Sequence, residues 1–275
     1  MALNIWNWNV GLDWTIKKIH PNYWKYFKEV GHHMHKNNFQ DRDIPIVSEA
    51  IGQVNPDVVF LHELDRPAQL EALAQTIENE HSVLYMTWVS DQYEDNYSGA
   101  LIRPDLPFEA HNYSVRSGAI VGETGFPAPT VGNKSVIVLD LDKIVLASVK
   151  LTAGPLWGLL GVRQSEAVQM VNHLTAYVRS KPHAIIADMN LLQRAGGTFL
   201  IPQDKTLYRC ITQGWGYQDA AGFPGQPTHV NGKYRFDFAF THGLKSDVAA
   251  APIAIQGLAE RYMDHNPLQV TFDSL

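Results

Sequence analysis

Five apolar, strand-like runs in this chain each end in polar residues that can handle a metal ion or a phosphate. They are Trp8-Asn9-Val10, Leu61-His62-Glu63, Asp188-Met189-Asn190, Arg235-Phe236-Asp237 and Asp264-His265. A chain punctuated in this way is constrained to gather strand ends, because each run stops where a group needing a partner, a ligand or water begins. Residues two apart on an extended segment share a face. The Asp188 carboxylate and the Asn190 amide, which follow Ile185-Ile186-Ala187, therefore point the same way. Met263-Asp264-His265-Asn266-Pro267 sets a carboxylate beside an imidazole near the other end of the sequence. Hard oxygen ligands together with a group that positions or deprotonates water are what metal-assisted phosphoester hydrolysis requires. Singly, each residue has a structural reading. Asn9 can cap a turn, Glu63 can face a helix N-terminus, Asp188 and Asn190 can make an Asx turn, and His265 can be a satisfied structural histidine. Asp237, inside Phe236-Asp237-Phe238, is harder to place this way, because a carboxylate in an aromatic strand is costly unless paired. The ordered set of five favours one shared site.

The rest of the chain reads as a single domain over 1–275, without repeats, low-complexity tracts or linkers. A hydrophobic content of 45% with 18% charged residues is ample for a buried core. No apolar run approaches the roughly 20 residues of a membrane span. A net charge of −6 argues against a protein that coats DNA generally, but not against a nuclease with a local phosphate site. The start of the chain lacks a basic segment followed by an apolar one, and Cys210 is the single cysteine. The resulting expectation is a cytoplasmic protein. Strands are expected over Leu3–Val10, Val58–Leu61, Val83–Val89, Ser98–Ile102, Ser135–Asp140, Lys143–Leu151, Ala184–Ala187, Arg235–Thr241 and Leu268–Phe272. Helices are expected at Ile46–Val54, around Leu70, Leu73, Ala74 and Ile77, and over Val162–Val178, with Val168, Val171, Leu174 and Val178 on one face. Strands outnumber helices and alternate with them irregularly, which predicts a mixed α/β architecture with two packed sheets. No glycine-rich dinucleotide or phosphate-loop motif is present.

In this order the five segments resemble the endonuclease/exonuclease/phosphatase superfamily, the DNase I-like fold. The resemblance runs from Trp8-Asn9-Val10 through Pro56-Asp57-Val58-Val59-Phe60-Leu61-His62-Glu63, with His62 where the family usually has Gln. It continues through Ala187-Asp188-Met189-Asn190 and Arg235-Phe236-Asp237-Phe238 to Met263-Asp264-His265-Asn266-Pro267. Thr228 and Gln218-Asp219-Ala220 stand where such proteins often carry Thr and Asp. The resemblance implies a four-layer sandwich, two mixed β-sheets face to face and flanked by helices. It implies a Mg²⁺-dependent phosphoesterase, with Mn²⁺ as the alternative ion. Glu63, Asp264 and Asn9 would form the metal side. Asp188 would deprotonate the attacking water, Asn190 would hydrogen-bond a phosphate oxygen or the nucleophile, and His265 would contact the phosphoryl oxygens with its tautomer fixed by Asp237. A nucleic acid or nucleotide phosphodiester is the first expected substrate, and a phospholipid or small-molecule ester the alternative. A membrane surface is not favoured as a partner, and no obligate protein partner is indicated.

One position departs from the pattern. Where members of the superfamily usually carry a general-acid His after a strand, Leu146-Ala147-Ser148-Val149-Lys150-Leu151 places Lys150. An ordinary lysine pKa of about 10.4 matches leaving-group protonation poorly near neutrality. Lys150 is open to four readings: a phosphate clamp, an acid of lowered pKa, a site for substrates whose leaving group needs no proton, or a repurposed module without turnover. Trp14, Lys17, Lys18 and Arg163 are the candidate substrate contacts. The first three belong to the basic and aromatic stretch Trp14–Phe39, which can hold a nucleic-acid backbone or simply cover a sheet. Gly31-His32-His33-Met34-His35 lacks the companions of a zinc motif, and the apolar loop Pro155–Gly161 reads as packing, a lid, a lipid contact or a dimer contact.

Overall fold

The computed structural model describes residues 2–11, 39–91, 96–116, 133–153, 161–244, 248–256 and 263–275. Among them two six-stranded sheets form. The strands are β1 (Leu3–Asn9), β2 (Val58–Leu64), β3 (Met86–Val89), β4 (Tyr97–Ile102), β5 (Glu109–Arg116), β6 (Asn133–Asp140), β7 (Val145–Ser148), β8 (His183–Arg194), β9 (Gln218–Asp219), β10 (Tyr234–His242), β11 (Val248–Pro252) and β12 (Leu268–Phe272). The first sheet runs β11-β12-β1-β2-β4-β3 and the second β5-β6-β7-β8-β10-β9. Each is mixed: β1 and β2 are parallel, as are β7 and β8, within otherwise antiparallel ladders. Helices α1 (Ile44–Val54) and α2 (Ala68–His81) accompany the first sheet, and α3 (Val162–Val178) and α4 (Pro202–Arg209) the second.

Period-two alternation builds the layers. In β1, Leu3 and Ile5 face the second sheet, while Trp6 and Trp8 face α1 and α2. Val58 and Phe60 of β2 meet Ile137, Leu139, Leu146, Ala184, Ile186 and Ala239 across the inter-sheet core. On the far side of the second sheet, Val138, Ile185, Phe238 and Phe240 pack on Ala167, Met170 and Leu174 of α3 and on Leu207 of α4. The expected four-layer sandwich is the observed one.

Several expected bounds change. The strand expected to stop at Leu61 continues to Leu64, because its pairing with β4 resumes after a bulge between Leu61 and Leu64. The strand expected over Ala184–Ala187 extends to Arg194, since β10 keeps pairing with it across a bulge near Arg235. Residues 83–85 are not strand, and the strand there begins at Met86. On α3, Val168 is 41% exposed: the buried stripe runs through Ala167, Met170, Val171, Leu174 and Val178 instead. No helix among the described residues is long and apolar enough to cross a membrane.

Candidate active site

The site is the polar continuation of the inter-sheet core. Inward-facing positions that are apolar in mid-sheet become polar toward one end. Leu3 and Ile5 give way to Asn7 and Asn9, Val58 and Phe60 to His62, Leu146 to Ser148, Ala184 and Ile186 to Asp188, and Ala239 to Asp237. β1, β2 and β7 contribute their C-terminal ends, and β8 contributes Asp188 from mid-strand, where its ladder with β10 becomes irregular. The antiparallel β10 contributes its start, and His265 stands just before β12. The β7–β8 register continues two residues past β7 as a bridge between Lys150 and Asp188.

Side-chain contacts tie these ends together. Asn9 Nδ2 donates to Asp188 Oδ2 at 3.0 Å, and the Asn190 backbone N–H donates to Asp188 Oδ1 at 3.1 Å. His265 Nδ1 lies 2.7 Å from Asp237 Oδ2, and its Nε2 lies 3.6 Å from Asp264 Oδ1. Ligand atoms of Asp188, Asp237 and His265 all lie within 4.8 Å of one another. Thr228 Oγ1 accepts from the backbone N–H groups of Phe236 (3.0 Å) and Asp237 (3.2 Å), and Trp8 Nε1–H donates to the His265 carbonyl at 2.9 Å. Lys150 pairs with the Glu63 carboxylate, each side chain only 11% exposed. Glu63 and Asn190 hold left-handed backbone conformations, φ 67° and 50°. Such conformations cost non-glycine residues of order 1 kcal/mol or more and persist where surrounding structure enforces them. Here both fall at a ladder irregularity or strand end that turns a side chain into the site.

No family model and no curated protein sequence matches the chain. Solved structures do. An endonuclease/exonuclease/phosphatase from Beutenbergia cavernae aligns at TM-score 0.64 and 16% identity, covering 98% of this chain and 71% of that one. The human Nocturnin catalytic domain with bound sulfate aligns at 0.62 and 13%, covering 99% and 93%. Danio rerio TDP2 complexed with a single-strand DNA product aligns at 0.60 and 16%, covering 99% of each. The chain has the endonuclease/exonuclease/phosphatase fold.

Within this fold the eight residues expected at the site, Asn9, Glu63, Lys150, Asp188, Asn190, Asp237, Asp264 and His265, form one connected cluster. Arg163 does not join it, which corrects the expectation of a substrate contact. Its guanidinium is fully buried, donates to Asp204 Oδ1 and Oδ2 at 3.0 and 2.9 Å, and donates to the Thr152 carbonyl at 3.1 Å. Trp14, Lys17, Lys18, the 31–35 histidine stretch and the 155–160 loop lie outside the described residues. Asn7, His62 and Ser148 form a buried layer beneath the site, of which only His62 was singled out in the sequence. His62 Nε2 is 3.0 Å from both Asn7 Oδ1 and Ser148 Oγ, its Nδ1 is 2.8 Å from Ser98 Oγ, and Asn7 Nδ2 donates to Asp237 Oδ1 at 3.4 Å. The signal was available, since Asn7 shares the face of Asn9 by simple alternation.

The expected metal side does not fit a divalent ion as its atoms stand. Glu63 is held by Lys150, Asn9 Oδ1 accepts the Gly11 N–H at 3.0 Å, and Asp264 faces the His265 imidazole. The trio Asp188, Asp237 and His265 is close enough together to hold an ion, but only at the cost of the proton on His265. Burial opposes a proton on His265, but Asp237, Asp264 and Asp188 outweigh it and raise its pKa to about 10. A protonated imidazole has no lone pair to offer. At Lys150, burial lowers the pKa from the ordinary lysine range against Asp188, Asp264 and Asp237, and the adjoining Glu63 carboxylate favours the charged form.

Two buried histidines therefore shape stability in opposite directions. Burial lowers His62 to about 3, with Asp188 opposing and Lys150 adding to the shift. Below its unfolded value of 6.5 the unfolded chain takes up a proton that folded His62 refuses, so this contribution falls as pH drops. His265, raised from 6.5 to about 10, contributes stability that is complete below 6.5 and is lost as pH rises through 10. Guanidinium unfolding between about pH 4 and 9 is expected to show both limbs. His62→Gln should flatten the acid limb only, and an unchanged acid limb in that variant would count against the assignment.

Proposed function

We propose that this chain hydrolyses phosphoesters, with Asp188 as the base that orients and deprotonates the attacking water. The single observation that carries the reading is the buried Asp188–Asp237–His265 cluster at the polar end of the inter-sheet core. His265 is held cationic there, with Nδ1 on Asp237 and Nε2 3.6 Å from Asp264 Oδ1, beyond hydrogen-bond distance, so that this N–H can donate to a phosphoryl oxygen. Charge that develops on those oxygens during attack is met by His265 and by the Lys150 ammonium, fixed groups in a dry site where such interactions are strong. Asn190 keeps its place through Nδ2, which donates to the Leu151 carbonyl at 2.9 Å, and beside Asp188 it can steady the water or a phosphate oxygen.

A nucleic-acid or nucleotide phosphodiester is the favoured substrate. The single-strand DNA product in the Danio rerio TDP2 complex supports that choice. A second reading, phosphoester binding without turnover, is favoured by the Lys150–Glu63 pair, which neutralises a carboxylate expected to serve chemistry. The test is a panel of plasmid DNA, single-stranded DNA, RNA, bis-p-nitrophenyl phosphate, nucleotides and sphingomyelin, with Mg²⁺, Mn²⁺ or EDTA. Turnover lost in His265→Asn supports the hydrolase. Folded wild-type protein that binds one of these substrates and turns over none supports the second reading.

A further inference from the structure

Four carboxylates, Glu63, Asp188, Asp237 and Asp264, converge on the site. Carboxylates in a poorly hydrated site repel one another unless cations stand between them. On the Asp237 and Asp264 side that cation is the His265 imidazolium. On the Glu63 side it is supplied by the chain itself. Lys150 is no surface lysine with a free stem. Its Cα is fixed by the bridge to Asp188, and the Leu151 N–H donates to the Asp188 carbonyl at 2.9 Å. The following Thr152 is clamped through its own N–H and hydroxyl to the Glu166 carboxylate, and through its carbonyl to Arg163. Glu63 is fixed equally well. It stands at the β2 bulge in a left-handed conformation, and its carbonyl accepts the Phe39 N–H at 2.8 Å. Both backbones are thus fixed where the Lys150 ammonium can reach the Glu63 carboxylate.

We propose that the Lys150 ammonium is the site's own cation: it occupies the position beside Glu63 where these carboxylates would otherwise gather a divalent ion, so that such an ion binds there only by displacing it. The inference rests on reading this cluster as the phosphoester site. A tethered ammonium differs from a bound ion in ways that matter chemically. It carries one charge in place of two and donates hydrogen bonds to oxygens in place of coordinating them. Its side chain is also tethered at the site whatever the metal concentration.

Mn²⁺ binding followed by electron paramagnetic resonance at one fixed pH tests this independently of any turnover. Wild-type protein is expected to bind Mn²⁺ weakly at this site, and Lys150→Met at least tenfold more tightly, about 1.4 kcal/mol. Adding Glu63→Gln to Lys150→Met should remove the gain. That control separates the site from the surface trio Glu49, Glu80 and His81, whose ligand atoms also lie within 4.8 Å of one another. Lys150→Arg, which keeps the charge, should stay weak, and Lys150→Leu serves if Lys150→Met does not fold. Equal affinity in wild type and the uncharged variants, or no binding in either, overturns the proposal. Turnover on the phosphoester panel is read separately. A chain that hydrolyses nothing but gains Mn²⁺ in Lys150→Met would sink the hydrolase reading and leave the tethered cation standing.

Discussion

Arg163→Ala is expected to destabilise the protein by about 3–5 kcal/mol, the usual range when one partner of a buried ion pair is removed. The guanidinium and the Asp204 carboxylate are both fully buried, and Asp204 Oδ2 also accepts the Leu192 N–H at 3.1 Å. Burial raises the Asp204 pKa, against the pull of Arg163 and that backbone donor. Without Arg163 the carboxylate must take up a proton or stay charged in a dry interior, and the Thr152 carbonyl loses its donor. Urea unfolding reads the result as a lower midpoint at an unchanged slope. Arg163→Lys should recover little, since an ammonium cannot match both carboxylate oxygens in the plane. Arg163→Met with Asp204→Leu should recover most of the loss, because it leaves no orphaned charge. A single-alanine effect below about 1 kcal/mol, the range of exposed pairs, would refute this account.

The second large effect is catalytic. Asp188→Asn is expected to lower turnover on the best phosphoester by about 10²–10⁴-fold, the range for losing a general base. The amide keeps the carboxylate's shape but removes its charge and turns one acceptor into a donor. Asn9 Nδ2 and the Asn190 N–H both donate to this carboxylate, so one of them would then meet another donor. A loss in kcat with KM nearly unchanged is the expected signature of a group used in the transition state. Full activity in this variant would remove Asp188 from the mechanism.

How far the sequence foretold this structure depends on whether a feature is local. The apolar runs in Leu3–Val10 and Val58–Leu61 are written into the residues themselves, and strands that outnumber the helices and alternate with them irregularly foretold two packed sheets. The ends of those strands foretold the cluster of Asn9, Glu63, Asp188, Asp237, Asp264 and His265. What stayed hidden depends on pairs far apart in the chain. Arg163 looked like an anion-binding residue at a helix start, because nothing nearby reveals that Asp204, 41 residues on, fills its fork. Lys150 could be recognised as a departure, but its partner Glu63 could not. The β11 segment Val-Ala-Ala-Ala-Pro has no alternation to betray a strand and owes its form to pairing with β12. The 2-residue β9 likewise forms only against β10.

The site's cross-links join parts of the chain that are remote in sequence. Asn9 reaches Asp188 across 179 positions, Asn7 reaches Asp237 across 230, and Trp8 reaches the His265 carbonyl across 257. No contiguous fragment shorter than nearly the whole described span contains all these partners. A nascent or clipped chain would therefore be inert, not weakly active, and the cluster behaves as a completion lock. The proposed chemistry can begin only once both sheets have closed on each other.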